Sequence, residues 1–182
     1  METAVRLSRE VGIATALTVL GLSLRLLPHA ANFAPVGALA IVSAVYLPRR
    51  LAWTVPLAIM ALSDLWIGLH PLVAFTWGSY VLLGLLASFG YERLHRKSLM
   101  LGFAPVGSLL FFSITNFGVW LQGQLYTRNF AGLVRCYEMA LPFLRNTGFS
   151  DLFYTGLFLG LATAISYLPT SAKAPMENHG TL

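Results

Sequence analysis

Charged residues are scarce in this 182-residue chain: they make up 10% of it, while hydrophobic residues make up 57%. A soluble domain carries about 25% charged residues, so this chain has too few to cover a globule in water. Lipid is therefore the expected solvent for most of the chain. The chain also lacks a polar run long enough for a separate soluble domain, since the longest such run is the loop after Gln122.

Cysteine and catalytic signatures are equally sparse. The single cysteine, Cys136, excludes an intrachain disulfide framework. There is no nucleophile elbow, no Gly-rich phosphate loop with Lys and no H-E-x-x-H pattern, and His29 and His70 have no tight metal-ligand spacing. We therefore expect no enzymatic activity, no cofactor and no bound metal. The net charge of +5 comes without a basic patch interleaved with aromatics, so nucleic acid is not an expected partner.

The chain does contain a succession of apolar segments, each close to the length that crosses a bilayer. Six spans are predicted, at residues 11–27, 33–47, 51–69, 72–90, 99–121 and 152–168. They predict one all-α transmembrane domain over residues 1–169, followed by a disordered polar tail over 170–182. A cleaved signal peptide is the alternative for the first segment, because a basic end precedes it and small residues follow at Ala30 and Ala31.

The placement of Lys and Arg predicts the orientation of these spans. With six crossings, eight basic residues fall on one side and three on the other, with Arg25 inside a span. The eight are Arg6, Arg9, Arg49, Arg50, Arg93, Arg96, Lys97 and Lys173, and the three are Arg128, Arg135 and Arg145. Basic residues concentrate on the cytoplasmic side, so we expect both termini in the cytoplasm of a bacterial inner-membrane protein.

The external connection between the fifth and sixth predicted spans is long for a compact bundle. Within residues 130–144, apolar side chains recur at the spacing of one helix face. They are Phe130, Leu133, Val134, Tyr137, Leu141 and Leu144. We predict a short amphipathic helix that lies in the interface or caps the bundle, with Pro142 limiting its end.

Three ionisable residues lie within or at the edge of the spans: Arg25, Asp64 and Asp151. Charges at membrane depth are costly and usually face partners inside the protein. For Arg25 and Asp64, two interpretations stay open: they flank an outward-facing binding site, or they form a structural ion pair. A third alternative for Arg25 is snorkelling to the headgroups. Asp151 follows Ser150 at the start of a predicted helix, which favours a helix cap.

Polar, aromatic and small residues mark two further surfaces. Asn116 and Trp120 share a face of the fifth span, and we expect Asn116 to have either another helix or a ligand as its partner. The outer aromatic residues fit either an interfacial belt or a stacking cage. Small residues at Ser8, Gly12 and Ala16 form a stripe on the first helix that suits close packing against another helix.

Four stretches carry a resemblance to a known group of proteins. They are RLLPHAANFAPVGAL from residue 25, SDLWIGLHP from residue 63, TNFGVWL from residue 115 and GLVRCYEMALPFLRNTGFSDLFYTGLF from residue 132. On these, the chain resembles a family of uncharacterised bacterial multi-pass membrane proteins. That family in turn is similar to the S components of energy-coupling factor transporters, six-helix subunits that bind a vitamin-like or other small solute.

The resemblance implies an S-component-like bundle, an outer binding pocket and a docking surface. The implied pocket residues are Asn32, Asp64, His70, Asn116, Trp120 and Tyr137. The stripe of Ser8, Gly12 and Ala16 would dock on a transmembrane coupling subunit that works with an ATPase pair. We therefore expect the binding subunit of a solute uptake system. The alternative is an envelope scaffold that recruits partner proteins without transport.

Overall fold

A computed structural model describes residues 2–166, and every regular element in this range is helical. The elements are α1 (Glu2–Leu26), α2 (Val36–Tyr46), α3 (Arg49–Ala52), α4 (Thr54–Ile67), α5 (Val73–Leu94), α6 (Phe103–Gln122) and α7 (Phe130–Ser166), with a 3-10 segment at Lys97–Gly102. The prediction of an all-α domain is confirmed for this part of the chain. The predicted disordered tail, 170–182, lies outside the described residues.

Four helical stretches in the described range are long and apolar enough to cross a membrane. They are Thr3–Leu26, Arg49–Ile67, Val73–Leu94 and Lys97–Gln122, and they coincide with the first, third, fourth and fifth predicted spans. The second predicted span is the 11-residue helix α2. At a rise of 1.5 Å per residue α2 is only about 16 Å long, against a hydrocarbon core of about 30 Å.

The short helix α2 is the centre of the bundle. All but the last of its residues are buried, and it contacts each of the other six α-helices. Prolines set its length. Pro35 immediately precedes its first residue, and Leu47, the residue before Pro48, has the extended backbone that a following proline favours. Because α2 is surrounded by protein, its polar ends need not meet lipid.

Ion pairs and polar contacts mark two opposite ends of the bundle. At what we call the basic end, Arg6 and Arg50 both bond Glu10, at 3.0 Å each, and Lys97 lies over the ring of Tyr46. At the other end, which we call the cavity end, Arg25 of α1 meets Asp64 of α4. Helix α1 therefore runs from the basic end to the cavity end.

The prediction for the region after Gln122 was wrong in one respect. The connection is only residues 123–129, and α7 then continues for 37 residues instead of forming a short separate helix. Its start at Phe130 agrees with the predicted periodicity, but the helix passes through Pro142. Contacts with α6 on both sides of Pro142, at Tyr137 and at Asp151, offset the lost backbone hydrogen bond.

Candidate functional site

A cavity of about 300 Å³ opens at the cavity end, between the C-terminal part of α1, the loop before α2, and α4, α5 and α6. Its polar lining consists of Arg25, His29, Asn32, His70 and Thr76. Two of the predicted pocket residues, Asn32 and His70, therefore line one cavity. The backbone of Asn32 has a φ of 58°, a left-handed conformation that asparagine tolerates better than most residues.

Asp64 lies directly behind this lining. Its side chain is 1% exposed, and its Oδ1 accepts a hydrogen bond of 2.6 Å from Arg25 Nη2. Its Oδ2 accepts one of 2.8 Å from Trp77 Nε1, and His70 Nε2 lies 3.7 Å from the same oxygen. Arg25 thus lines the cavity while its ion-pair partner Asp64 lies behind the wall, so an ion pair and a site beside it are compatible.

His29 contributes a polar group at the exposed rim of the cavity. Its Nδ1 lies 2.9 Å from the carbonyl oxygen of Ala30, and its Nε2 lies 3.0 Å from that of Arg25. A neutral imidazole has only one N–H donor, so the tautomer decides which of the two carbonyls accepts a hydrogen bond from it.

The inner wall of the cavity is apolar and aromatic. It is formed by Val36, Met60, Tyr80 and Phe111, with the last two rings 4.8 Å apart. Met60 and Asp64 lie four residues apart on α4, on one helix face, and Arg25 Nη1 contacts the sulfur of Met60. The site therefore combines a cationic and amide-bearing rim with an apolar inner wall, an arrangement typical of small-molecule pockets.

Three residues of the predicted pocket lie elsewhere and do not line this cavity. Asn116 Nδ2 donates to Phe112 O at 2.8 Å within α6, and Tyr137 OH donates to Ser113 O at 2.6 Å. Trp120 Nε1 donates to the carbonyls of Thr127 and Asn129, at 3.1 and 3.3 Å. Each of these groups donates a hydrogen bond to a backbone carbonyl of α6 or of the connection to α7. Of these, only the Tyr137 bond joins α7 to α6.

The role predicted for Asp151 was wrong. Helix α7 begins at Phe130, so Asp151 lies inside the helix and does not cap it. Its buried carboxylate accepts a 2.7 Å hydrogen bond from Ser108 Oγ and lies against Gly37, in the first turn of α2. Asp151 therefore lies at the N-terminal turn of a different helix from the one that the sequence indicated.

The predicted docking stripe lies on the outer surface of α1. Ser8, Gly12 and Ala16 are all exposed, and a Cβ added at Gly12 would meet nothing within 4 Å. The stripe is therefore open to a partner. Among residues 2–166, no group of three His, Cys, Asp or Glu side chains is placed to hold a metal ion.

Sequence reasoning missed several residues of the cavity, chiefly Met60, Thr76 and Phe111. Met60 could have been predicted from its spacing to Asp64, which places both residues on one face of α4. The other two come from α5 and α6, and nothing in a single sequence indicates which faces of these apolar helices meet α1.

The comparison with known proteins has a single positive outcome. No curated protein and no solved structure matches the chain. A family model described as a family of unknown function (DUF6580) matches residues 6–173. This range contains both ends of the bundle and all the residues of the cavity. The chain belongs to the DUF6580 family of unknown function.

Proposed function

We propose that this protein is the solute-binding subunit of a membrane uptake system, and that it captures a small solute in the cavity at Arg25 and Asn32. The observation that carries this proposal is the cavity itself. Its volume of about 300 Å³ is at the lower limit of small-molecule pockets, and its wall combines polar donors with an apolar surface. A purely structural ion pair between α1 and α4 needs no such space beside it.

Six membrane crossings are consistent with the positions of α2 and α7. Val36 lines the cavity and Tyr46 lines a pocket at the basic end, so α2 joins the two ends of the bundle. Likewise, Ser150 of α7 bonds Ala34 O near the cavity, while Gly160 lies beside Lys97 at the basic end. We infer that both helices cross with the other four.

We infer the orientation from the basic residues, and the need for partner proteins from the lack of a phosphate-binding loop. Basic side chains favour the cytoplasmic side of an inner membrane, which directs the cavity outward. A cavity that faces outward is suited to capture. The sequence contains no Gly-rich phosphate loop with Lys, so energy would come from a separate ATPase module acting through a transmembrane coupling subunit. This arrangement is the one used by S components of energy-coupling factor transporters.

The proposal is tested by native mass spectrometry of the protein purified in mild detergent from its own membranes. We expect a defined co-purified small molecule that is lost in Asn32→Gly, a change that removes the side chain without straining the positive φ. Asn116→Ala is the matched control, because that amide lies outside the cavity and should leave the bound molecule in place. A protein that carries no solute in any of these forms would contradict the proposal.

The second candidate is an envelope scaffold, favoured by the exposed stripe of Ser8, Gly12 and Ala16. Gly12→Leu should leave the isolated bundle intact, because nothing lies within 4 Å of the added Cβ. Gly78→Leu is the matched control on α5, where the space around the glycine is equally open. Partner proteins lost only in Gly12→Leu, from a protein that never carries solute, would favour the scaffold over the binding subunit.

A further inference from the structure

We propose that the ligand of the cavity is a small organic monoanion, with one carboxylate at the rim and a compact apolar body against the inner wall. This inference rests on the proposed function, because it assigns a ligand class to the same cavity. It is carried by the charges, donors and apolar side chains that line the space.

The first observation is the balance of charge. Among the described residues that line the cavity, none is acidic, whereas Arg25, His29 and His70 are basic. Asp64 lies behind Arg25 and outside the lining, so the wall presents the positive guanidinium and no negative group to the space. This positive charge would repel a cationic ligand. A ligand with several negative charges would carry more charge than the rim can balance, and the Asp64 carboxylate would repel it. A single negative charge is therefore the best match.

The second observation is the mismatch at the Arg25 guanidinium. It has five N–H donors, and Nη2 bonds Asp64 while Nη1 faces the sulfur of Met60. A thioether is a weak acceptor, whereas a carboxylate forms a charge-assisted hydrogen bond of about twice the strength of a neutral one. A carboxylate that entered the cavity would therefore give the guanidinium a better acceptor than Met60. The Asn32 amide at the rim offers a further donor.

The third observation concerns the body of the ligand. Val36, Met60, Tyr80 and Phe111 present an apolar wall to the same space, and the Tyr80–Phe111 ring pair offers edges and faces to an aromatic group. A volume of about 300 Å³ admits a body of one ring or a short chain, and excludes a long acyl chain. The ligand is thus amphipathic, with its charge toward Arg25 and its apolar part toward Phe111.

Three probes that share one body and differ in the head group test this assignment: 3-phenylpropanoate, 3-phenylpropanamide and 3-phenylpropylamine. Binding is measured by calorimetry on the full chain in nanodiscs of zwitterionic lipid. We expect the carboxylate to bind at least about tenfold more tightly than the amide, since a hydrogen bond to a charged group contributes more than a neutral one. We expect no binding of the amine. Equal affinity for acid and amide, or preference for the amine, would overturn the proposal.

A double variant, Arg25→Gln with Asp64→Asn, removes both charges together and leaves no unpaired charge in the bundle. It should bind 3-phenylpropanoate about tenfold more weakly than the native chain while keeping its helical circular dichroism. Asn116→Ala should bind it as the native chain does. Unchanged binding by the double variant would overturn the role given to Arg25.

Native mass spectrometry and probe binding together distinguish a failure of this inference from a failure of the proposed function. A co-purified solute that is neutral or cationic would overturn the monoanion assignment and leave the binding subunit in place. The absence of both a co-purified solute and any probe binding would overturn the two together.

Discussion

Asp64 holds together side chains from three parts of the chain. Arg25 comes from α1, Trp77 from α5, and His70 from the connection between α4 and α5. A carboxylate that is 1% exposed is costly to keep charged unless it is paired and hydrogen-bonded. Its contacts with Arg25 and Trp77 meet this condition, so Asp64 also fixes the positions of the groups that face the cavity.

Removal of one partner of the Arg25–Asp64 pair should be strongly destabilising. Asp64→Ala leaves the Arg25 guanidinium, itself only 17% exposed, without its counter-ion, and we expect a loss of about 3 kcal/mol in the free energy of unfolding. The double variant Arg25→Met, Asp64→Leu should lose much less, because it leaves no unpaired charge. Equilibrium unfolding in mixed micelles measures both. Equal losses in the single and double variants would contradict the buried-pair argument.

At the scale of elements, α7 holds the N-terminal end of α2 in place. Pro35 immediately precedes α2, and its side chain makes no capping hydrogen bond to the helix. Asp151 reaches the first turn instead, while Ser150 Oγ and Asn146 Nδ2 donate to the carbonyls of Ala34 and Ala31 at 3.0 Å each. A carboxylate at a helix N-terminus meets the positive end of its dipole. The segment before α2, which includes Asn32 of the cavity, is therefore positioned by α7.

Gly37 allows this approach of Asp151, because a Cβ on residue 37 would collide with the carboxylate. We expect Gly37→Ala to destabilise the bundle by about 1–3 kcal/mol. In an Asp151→Ala background the added methyl group has space, so the two changes together should cost less than the sum of the single effects. Thermal unfolding in detergent measures the coupling.

The matched control for that cycle is Gly78→Ala on α5, where nothing lies within 4 Å of an added Cβ. It should be neutral or stabilise by up to about 1 kcal/mol, because alanine is the better helix former. Strict additivity of Gly37→Ala and Asp151→Ala would refute the contact between α2 and α7.

The helices themselves were largely predictable from apolar periodicity and from breakers. Gly68 ends α4 and Gly123 ends α6, both with positive φ, and prolines bracket α2. The continuity of α7 was not predictable in the same way, because Pro142 indicated the end of a short amphipathic helix. Packing on α6 overrides that local signal.

The site was predictable only in part, for a geometric reason. Arg25 and Asp64 stand out because ionisable residues are rare in apolar helices. Asn116, Trp120 and Tyr137 stand out as strongly, yet their polar groups bond the backbone of α6 or of the α6–α7 connection. A sequence shows that a polar group at membrane depth needs a partner. It does not show whether that partner is a ligand, a side chain or a carbonyl.

At the scale of the whole molecule, the four stretches that carry the family resemblance lie in contact with one another. Arg25 in the first stretch bonds Asp64 in the second, and Ser150 in the fourth bonds Ala34 in the first. Cys136 in the fourth also donates to Asn116 O in the third. The resemblance is therefore concentrated at the cavity end and along α7. The outer faces of the helices expose large apolar side chains, as expected for contact with lipid.

The proposed placement of the two ends on opposite sides of the membrane predicts a labelling pattern. Leu125 lies in the 123–129 connection and is 77% exposed, whereas Ser98 is exposed in the 3-10 segment beside Lys97. Single-cysteine chains are made as Leu125→Cys or Ser98→Cys in a Cys136→Ser background. The native thiol is only 2% exposed and would react poorly. A membrane-impermeant maleimide applied to spheroplasts should label residue 125 and spare residue 98.

Disruption of the membrane should then expose residue 98 to the same reagent, which shows that its protection depends on the bilayer and not on folding. With a cytoplasmic N-terminus, this pattern requires α2 to cross despite its length of about 16 Å, because residue 98 would otherwise lie outside. Arg50, just before α4, bonds Glu10 of α1, and Asp64 of α4 bonds Arg25 of α1. Helices α1 and α4 therefore run in the same direction within the bundle, and α2 returns the chain between them. Labelling of residue 98 from outside would therefore exclude the six-crossing arrangement with a cytoplasmic N-terminus and, with it, an outward-facing cavity.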